Sequence, residues 1–202
     1  MLTSSKTVFL ITAIIAMSSF SFPGYKIGDK VKDFSLKNVD GKMVSLADYK
    51  DAKGFIVVFT CNHCPYAKAY EQRIMDLDKN YKSKGFPVIA ISPNDATAVP
   101  DDSYDKMVSH SKEKKYTFPY LYDETQQVAR EFGAMRTPHA FVVKKTPKGN
   151  EIVYIGTIDD NIEDAGLVKQ KYVEDAVNAV LQGKEVPVTE TKAIGCTIKW
   201  KS

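Results

Sequence analysis

The chain has 202 residues, of which 44% are hydrophobic and 26% are charged. These proportions are close to those of ordinary soluble domains, so they exclude a disordered chain, a collagen-like chain and a protein with many membrane spans. The formal net charge is +3, and basic and acidic residues are interspersed without a basic block, so no nucleic-acid partner is expected. Three cysteines are too few for a disulfide-stapled scaffold, and their odd number leaves at least one thiol to explain.

The first 21 residues have the order of a secretory signal peptide. Lys6 precedes an apolar run over residues 8–17, and small residues at positions 19 and 21 suit cleavage by a signal peptidase. This run is too short to cross a membrane, which takes about 20 residues in a helix. We therefore expect residues 1–21 to be removed and the mature protein to be periplasmic or secreted, without stable membrane insertion. An uncleaved anchor is the alternative.

After this segment, the pattern predicts an N-terminal hairpin followed by alternating strands and helices. Asp40-Gly41 separates two alternating segments, 33–36 and 43–46, which is a strong hairpin signal. An unbroken apolar run at 55–59 indicates a strand buried on both faces. The elements that follow are, in chain order, a helix from Pro65 to Gly85, a strand at 88–91, a helix from N-caps at 101–103 towards Lys115, a strand at 118–122, a helix at 125–132, a hairpin of 140–143 and 152–155, and a helix at 173–181.

This order of elements predicts an α/β protein with one central sheet covered by helices. We expect a single domain over residues 22–183. The remaining tail, residues 184–202, contains Cys196 and the single tryptophan, Trp200. We expect this tail to fold back and pack on the domain.

Cys61 and Cys64 stand at the junction between the buried strand and the next helix. Unpaired N–H groups and the helix dipole stabilise an anion there, and a thiolate is the nucleophile in disulfide exchange. We therefore predict that Cys61 attacks, with a lowered pKa, and that Cys64 resolves the mixed disulfide. A protonated His63 would lower the Cys61 pKa further. The motif predicts a cofactor-free thiol–disulfide oxidoreductase that acts on protein thiols or disulfides and on a redox partner protein.

Three other hypotheses stay open for the same residues. Cys61, His63, Cys64 and Cys196 are all zinc-ligand types. Structural zinc usually draws on two well-separated ligand pairs, however, so we predict no metal. A second hypothesis is a non-catalytic binding module in which the two motif cysteines form a structural disulfide. The third is a thiol peroxidase that uses Cys61.

Thr137-Pro138 directly precedes the predicted strand at 140–143. A proline disrupts a central strand, so it belongs at the entrance of this one. A cis bond would turn the Thr137 backbone towards the cysteines and leave its N–H and C=O for a peptide substrate. A trans proline that bounds the strand is the commoner case, and the residues alone leave the choice open.

Three more polar residues are candidates for supporting roles. Asn94 and Asp95 follow the strand at 88–91, and strand ends at one edge of an α/β sheet collect active-site groups. Asp95 could take a proton from Cys64 or orient His63, or Asn94 and Asp95 could form a turn. Arg136 could stabilise a thiolate or bind an acidic substrate, or it could be a surface residue.

Cys196 follows Gly195, which permits a tight bend, and precedes two residues that could anchor the tail, Ile198 and Trp200. We expect Cys196 to be packed as a small buried residue in the folded-back tail. The alternative is a relay thiol that attacks the oxidised pair or a Cys61 sulfenic acid. A relay needs Cα atoms within about 7 Å.

The order of a strand, C-x-x-C, a helix and a later Thr-Pro before a strand resembles the thioredoxin fold superfamily. The hairpin resembles the N-terminal extension of its peroxiredoxin-like redoxin branch, which includes alkyl hydroperoxide reductases. Segments 59–66 (FTCNHCPY), 136–138 (RTP) and 195–200 (GCTIKW) resemble a bacterial redoxin subfamily of thioredoxin-like oxidoreductases. The resemblance implies a thioredoxin fold with a central mixed sheet flanked by helices. It also implies three functional residues: attacking Cys61, resolving Cys64 and a cis Pro138.

Two departures from the family patterns limit this resemblance. Peroxiredoxins carry P-x-x-x-T-x-x-C. If Cys64 is aligned with the final cysteine of this pattern, Val57 and Cys61 occupy the Pro and Thr positions. If Cys61 is aligned instead, Gly54 and Val58 occupy them. The peroxide-orienting groups are missing, so a dedicated peroxidase is not expected. Thioredoxins also carry a buried acidic residue in the strand before the motif, and Phe55 occupies that position.

Overall fold

The computed structural model describes residues 24–202, and the predicted signal peptide lies outside the described residues. The strands are Lys30–Val31 (β1), Ser35–Asn38 (β2), Met43–Ser45 (β3), Gly54–Phe59 (β4), Val88–Ser92 (β5), Tyr120–Tyr122 (β6), Arg136–Thr137 (β7), His139–Thr146 (β8), Gly149–Gly156 (β9) and Cys196–Thr197 (β10). The α-helices are Pro65–Tyr81 (α1), Tyr104–Lys114 (α2), Gln127–Phe132 (α3) and Tyr172–Leu181 (α4). A 3-10 turn, Pro100–Asp102, precedes α2.

One mixed sheet runs in the order β1-β9-β8-β4-β5-β6-β2-β3. The central strands β4, β5 and β6 are parallel, and β8 lies antiparallel to β4. The β2–β3 hairpin extends the sheet from the edge of β6. The predicted α/β class, the mixed sheet and the N-terminal hairpin are confirmed. Among residues 24–202, no helix has both the length and the apolar character that a membrane crossing requires.

Helices cover both faces of the sheet, which is why β4 is buried along its whole length. Ile56 and Val58 face one side and pack into a core with α1 and α4. Phe55, Val57 and Phe59 face the other side and pack with α3 and part of the tail. Burying each such side chain stabilises the fold by about 1.5–3 kcal/mol. The core therefore fixes the end of β4, where the cysteine motif begins.

Helix α1 starts at Pro65, as predicted, because a proline in the first turn leaves no N–H unpaired. A 3-10 turn continues the helix, and Gly85 ends it with a φ of 93°, a left-handed conformation that suits glycine. The buried face of α1 repeats every three or four residues: Ala67, Tyr70, Ile74, Leu77 and Tyr81. This face anchors the first turn of α1 against the sheet.

Helix α3 begins two residues later than predicted because Gln126 has a φ of 61°, which no α-helical residue adopts. The side-chain amide of Gln126 donates to the carbonyl oxygens of Pro93 and Lys199, both at 2.7 Å. It also accepts the N–H of Lys201 at 2.7 Å. This residue therefore ties the C-terminal tail to the loop after β5.

The tail also contacts the rest of the protein through backbone pairing and apolar packing. Strand β10 pairs antiparallel with β7 in a separate two-stranded sheet. Ile198 is buried, and the Arg130 guanidinium lies 4.4 Å from the centre of the Trp200 ring. These contacts hold the residues on both sides of Cys196 in place.

Candidate active site

The cysteine motif lies where β4 ends and α1 begins. Thr60 N–H donates to the carbonyl oxygen of Ile91 at 2.9 Å, so β4 stays paired with β5 up to the residue before the motif. Cys64 is the N-cap residue of α1 and has an extended backbone. Cys61 is 5% exposed and Cys64 is 0% exposed. Both cysteines therefore lie at the helix N-terminus, but neither is open to solvent.

A buried carboxylate, Asp102, holds the loop between the two cysteines. Its Oδ1 accepts the N–H groups of Asn62 and His63 at 2.8 and 3.1 Å. Its Oδ2 lies 2.5 Å from His63 Nδ1 and accepts Asn94 Nδ2 at 2.8 Å. Asp102 itself is fully buried. It thus sets both the path of the loop and the orientation of the histidine ring.

The side chain of Asn62 is held from two directions. Its Nδ2 donates to the carbonyl oxygen of Asp101 at 2.8 Å, and its Oδ1 accepts the hydroxyl of Tyr120 at 3.0 Å. Burial raises the pKa of Tyr120 well above its usual value, so the phenol keeps its proton and remains a donor. The motif loop is therefore hydrogen-bonded to the 3-10 turn and to β6.

Thr137 contacts all three cysteines. Its bond to Pro138 is cis, which confirms what the family resemblance implied. Its Oγ1 lies 3.1 Å from Cys61 Sγ, and its carbonyl oxygen lies 3.2 Å from Cys64 Sγ. Its backbone pairs with Cys196 in the register of β7 with β10. The edge of β7 that we expected to be free for a peptide substrate is therefore occupied by the tail.

Cys64 forms a disulfide with Cys196, and the two Cα atoms are 6.1 Å apart. Our expectation that Cys196 is a small buried residue was wrong, because it is partly exposed and bonded. The distance that the relay alternative requires is met. Gly195 explains the close approach, since a Cβ at this position would lie 2.3 Å from the carbonyl oxygen of Thr137. A larger residue would push Cys196 away from the motif.

Cys61 is a free thiol, and its environment reverses the predicted pKa shift. Burial and the Asp102 carboxylate raise the pKa of Cys61 to about 11, although hydrogen bonds from Thr137 and from the N–H groups of Cys64 and His63 lower it. His63 Nδ1 lies 2.5 Å from Asp102 but 3.6 Å from Cys61 Sγ, so the ring is held mainly by the carboxylate. At neutral pH, Cys61 is protonated in this arrangement.

Asn94 reaches the site, whereas Asp95 does not. Asn94 donates to Asp102 and accepts the N–H of Lys199 at 2.9 Å, so it links the motif loop to the tail. The Asp95 carboxylate accepts the N–H of Thr97 at 3.1 Å, a contact two residues along that is typical of a turn. The role that we considered for Asp95, orienting the histidine, belongs to Asp102.

Arg136 holds the tail instead of a thiolate or a substrate. Its Nη1 donates to the carbonyl oxygen of Gly195 at 2.8 Å, and its side chain is half-buried. Arg136 belongs to β7, so this bond reinforces the pairing of β7 with β10 next to Cys196.

Asp102 is the residue of this site that the sequence pattern did not indicate, since we considered it only as an N-cap of α2. In the structure Ser103 is the N-cap residue, and the Asp102 carboxylate points away from the helix towards the motif. One signal could have identified it. Asp102 lies in the loop after β5, at the same sheet edge as Asn94 and the motif.

The zinc-ligand set that we considered from the sequence is not assembled, because Cys64 and Cys196 share a disulfide. Ligand atoms of Cys61, His63 and Asp102 do lie within 4.8 Å of one another. The His63 and Asp102 atoms are 2.5 Å apart, which is a hydrogen-bond distance. Two ligands at about 2.1 Å in a tetrahedral zinc site lie about 3.4 Å apart. This geometry fits a hydrogen-bonded pair better than a metal centre.

The buried side chain of His139, which follows Pro138, should make the folded protein less stable in acid. It is 6% exposed, and burial lowers its pKa from 6.5 to about 4. Between these values the unfolded chain binds more protons than the folded protein, so stability present at pH 7 is lost as the pH falls from 6.5 to 4. We expect a loss of about 3 kcal/mol from this residue. Urea unfolding at pH 7 and pH 4.5 should show a smaller pH dependence for His139→Gln than for wild type. Equal pH dependence in both proteins would contradict this assignment.

The fold and the cysteine site together define a thioredoxin-like redoxin. The chain belongs to the AhpC/TSA family, whose sequence model matches residues 27–150. Among curated proteins, it is similar to the thiol-disulfide oxidoreductase ResA of Oceanobacillus iheyensis, with 29% identity over 143 residues that cover 69% of this chain and 70% of that protein. It is also 31% identical over 109 residues to chloroplastic peroxiredoxin Q of Triticum aestivum, covering 52% of this chain and 45% of the relative.

Two solved structures resemble nearly the whole described chain. An uncharacterized conserved protein from Geobacillus kaustophilus aligns with a TM-score of 0.80 and 38% identity, covering 87% of this chain and 93% of that chain. A hypothetical protein from Sinorhizobium meliloti 1021 aligns with a TM-score of 0.81 and 33% identity, covering 89% and 97%. Neither protein has a named function, so these structures support the fold, and the curated relatives support oxidoreductase chemistry.

Proposed function

We propose that this protein is an exported thiol–disulfide oxidoreductase that exchanges disulfides with thiols of partner proteins. The arrangement of the three cysteines is the main support for this proposal. Three cysteines meet around Thr137 at the N-terminus of α1, two of them joined in a disulfide and the third a free thiol. The similarity to a thiol-disulfide oxidoreductase supports it.

The position of Cys64 suits it to be a leaving group in disulfide exchange. It caps a helix of 17 residues, whose N-terminal dipole favours a negative charge on the sulfur. Cys64 can bond to Cys196, as in the structure, or to Cys61, as the C-x-x-C motif predicts. The proposed centre therefore alternates between two disulfides that share Cys64.

Export is part of the proposal, and two features support it. Residues 1–21 have the order of a signal peptide, and disulfides persist in oxidising compartments outside the cytoplasm. Exchange between sulfur atoms needs no bound cofactor or metal. The proposed partners are protein thiols or disulfides and a redox partner that restores the centre.

A redox titration of the folded protein tests the function. We expect the Cys64–Cys196 disulfide to equilibrate with glutathione buffers without denaturant, because Cys196 is partly exposed in the folded protein. Peptide mapping after acid quenching would give the reduction potential. A potential of about −120 mV would indicate an oxidant, and a potential of about −270 mV would indicate a reductant. A disulfide that stays oxidised to below about −300 mV, and is reduced only in urea, would identify a structural bond instead.

A thiol peroxidase is the second candidate, favoured by the AhpC/TSA family match and by the peroxiredoxin Q relative. Its chemistry requires a thiolate at Cys61. The buried thiol has a pKa of about 11, and Val58 and Gly54 occupy the positions of the peroxide-orienting residues. Disulfide exchange therefore fits this site better than peroxide reduction.

A further inference from the structure

We infer that Cys196 is the sulfur that partner thiolates attack, so that the tail, not the C-x-x-C motif, is the point of exchange with other proteins. This inference rests on the proposed function and assigns the residue that meets the partner. It differs from the expectation drawn from the motif, in which Cys61 is the attacking and partner-facing thiol.

Access is the first reason. A thiolate must reach the sulfur that it attacks, so exposure decides between the two sulfurs of a disulfide. Cys64 is 0% exposed and Cys61 is 5% exposed, whereas Cys196 is partly exposed. The tail also occupies the edge of β7, so a partner that approaches this edge meets the tail first. Of the two residues in the disulfide, Cys196 is the one with surface open to solvent, so we assign the attack to it.

The leaving group is the second reason. Attack on Cys196 releases Cys64 at the N-terminus of α1, where the helix dipole favours a negative charge on the sulfur and burial opposes it. Attack on Cys64 would instead release Cys196 from β10, a two-residue strand. Access therefore favours attack on Cys196, and the helix dipole at the leaving sulfur favours the same choice.

The tail is held so that Cys196 stays near the motif when the disulfide opens. The N–H of Ile198 donates to the carbonyl oxygen of Met135 at 3.1 Å, and Ile198 is 2% exposed. On the other side of the cysteine, Arg136 donates to the carbonyl oxygen of Gly195 at 2.8 Å. These bonds do not involve sulfur, so they persist after reduction and keep Cys196 close enough to bond again.

A dithiol partner supplies both electrons that reduction of the Cys64–Cys196 disulfide requires. A partner thiolate attacks Cys196 Sγ, a bond forms between these two sulfurs, and the Cys64–Cys196 bond breaks with its electron pair on Cys64. The partner's second thiol loses a proton to solvent and attacks the partner sulfur of the mixed disulfide. Cys196 leaves as a thiolate, and both protein thiolates take protons from water. The partner is oxidised to a disulfide, and the Cys64–Cys196 disulfide is reduced to two thiols.

Glutathione can identify the attacked sulfur. In the oxidised Cys61→Ser variant, Cys64 and Cys196 form the disulfide. The position of a glutathione adduct therefore shows which of these two sulfurs was attacked. After brief reaction with excess reduced glutathione and acid quenching, peptide mapping should find glutathione on Cys196 and a free Cys64, in at least tenfold excess over the reverse product. Predominant glutathione on Cys64 would overturn the inference.

Exchange rates of wild type and of single-residue variants separate this inference from the proposed function. We expect Cys196→Ser to exchange with glutathione at least tenfold more slowly than wild type. Thr197→Ala, a change at the exposed neighbour in β10, should match wild type. Wild-type rates in Cys196→Ser would overturn the inference and leave the motif cysteines as the centre. No exchange by wild type would overturn the proposed function itself.

Discussion

Replacing Cys64 with serine should abolish disulfide exchange, a larger loss than substitution of either other cysteine causes. Cys64 is shared by the two disulfides that the centre can form, with Cys196 in the structure and with Cys61 in the motif. Cys61→Ser and Cys196→Ser each leave one of these disulfides possible. Turnover of a dithiol substrate should fall to the uncatalysed rate for Cys64→Ser, a loss on the order of a thousandfold or more. Cys61→Ser should retain the highest activity of the three variants.

The control for this series is the stability of each variant in its reduced form. Serine is close to cysteine in size, and Cys64 is fully buried, so a modest loss is expected from the polar hydroxyl. Unfolding midpoints would show whether all three variants remain folded under assay conditions. If folded Cys64→Ser kept more than a tenth of the wild-type rate, Cys61 and Cys196 would have to pair directly. That result would contradict the shared role of Cys64.

The architecture could be predicted because its signals are local and repetitive. The apolar run at 55–59 indicates a strand that is covered on both faces. The buried residues of α1, three and four positions apart, indicate a helix that packs one face against the sheet. The hairpin around Asp40-Gly41 follows from turn chemistry. Gln126 shows where such reasoning failed. Its left-handed backbone is held by contacts with the tail, which lies more than 70 residues further along the chain.

The chemistry of the site depends on contacts that no local pattern contains. Asp102 lies 39 residues from His63, and Cys196 lies 132 residues from Cys64. Connectivity among several cysteines cannot be deduced from a single sequence. The pKa of Cys61 was predicted in the wrong direction for the same reason. The helix N-terminus is visible in the sequence, whereas burial and the Asp102 charge come from the folded chain.

Asp102 should be a major contributor to stability, since its carboxylate is fully buried among donors. It accepts the N–H groups of Asn62 and His63 and the amide of Asn94, and it contacts the His63 ring. Hydrogen bonds to a charged group contribute about 1.5–3 kcal/mol each. Because the cost of burying the charge offsets part of their sum, we expect Asp102→Ala to lower the free energy of unfolding by about 4 kcal/mol in urea at pH 7. The control is Asp101→Ala, since the exposed Asp101 contributes its backbone carbonyl; it should stay within about 0.5 kcal/mol of wild type.

Asp102→Asn separates the charge of this residue from its structural role. The asparagine oxygen can still accept the two loop N–H groups, but the negative charge near Cys61 is lost. The pKa of Cys61 should therefore fall, yet stay above its ordinary value, because burial is the larger cause of its rise to about 11. Residues 24–202 contain all three cysteines, and Cys61 is the one free thiol in the oxidised protein, so the pH dependence of its 13Cβ chemical shift in NMR spectra reports its pKa. Asp101→Asn removes a neighbouring exposed charge and should leave this titration curve unchanged. An unchanged or higher Cys61 pKa in Asp102→Asn would show that the carboxylate acts on the thiol only by positioning the loop.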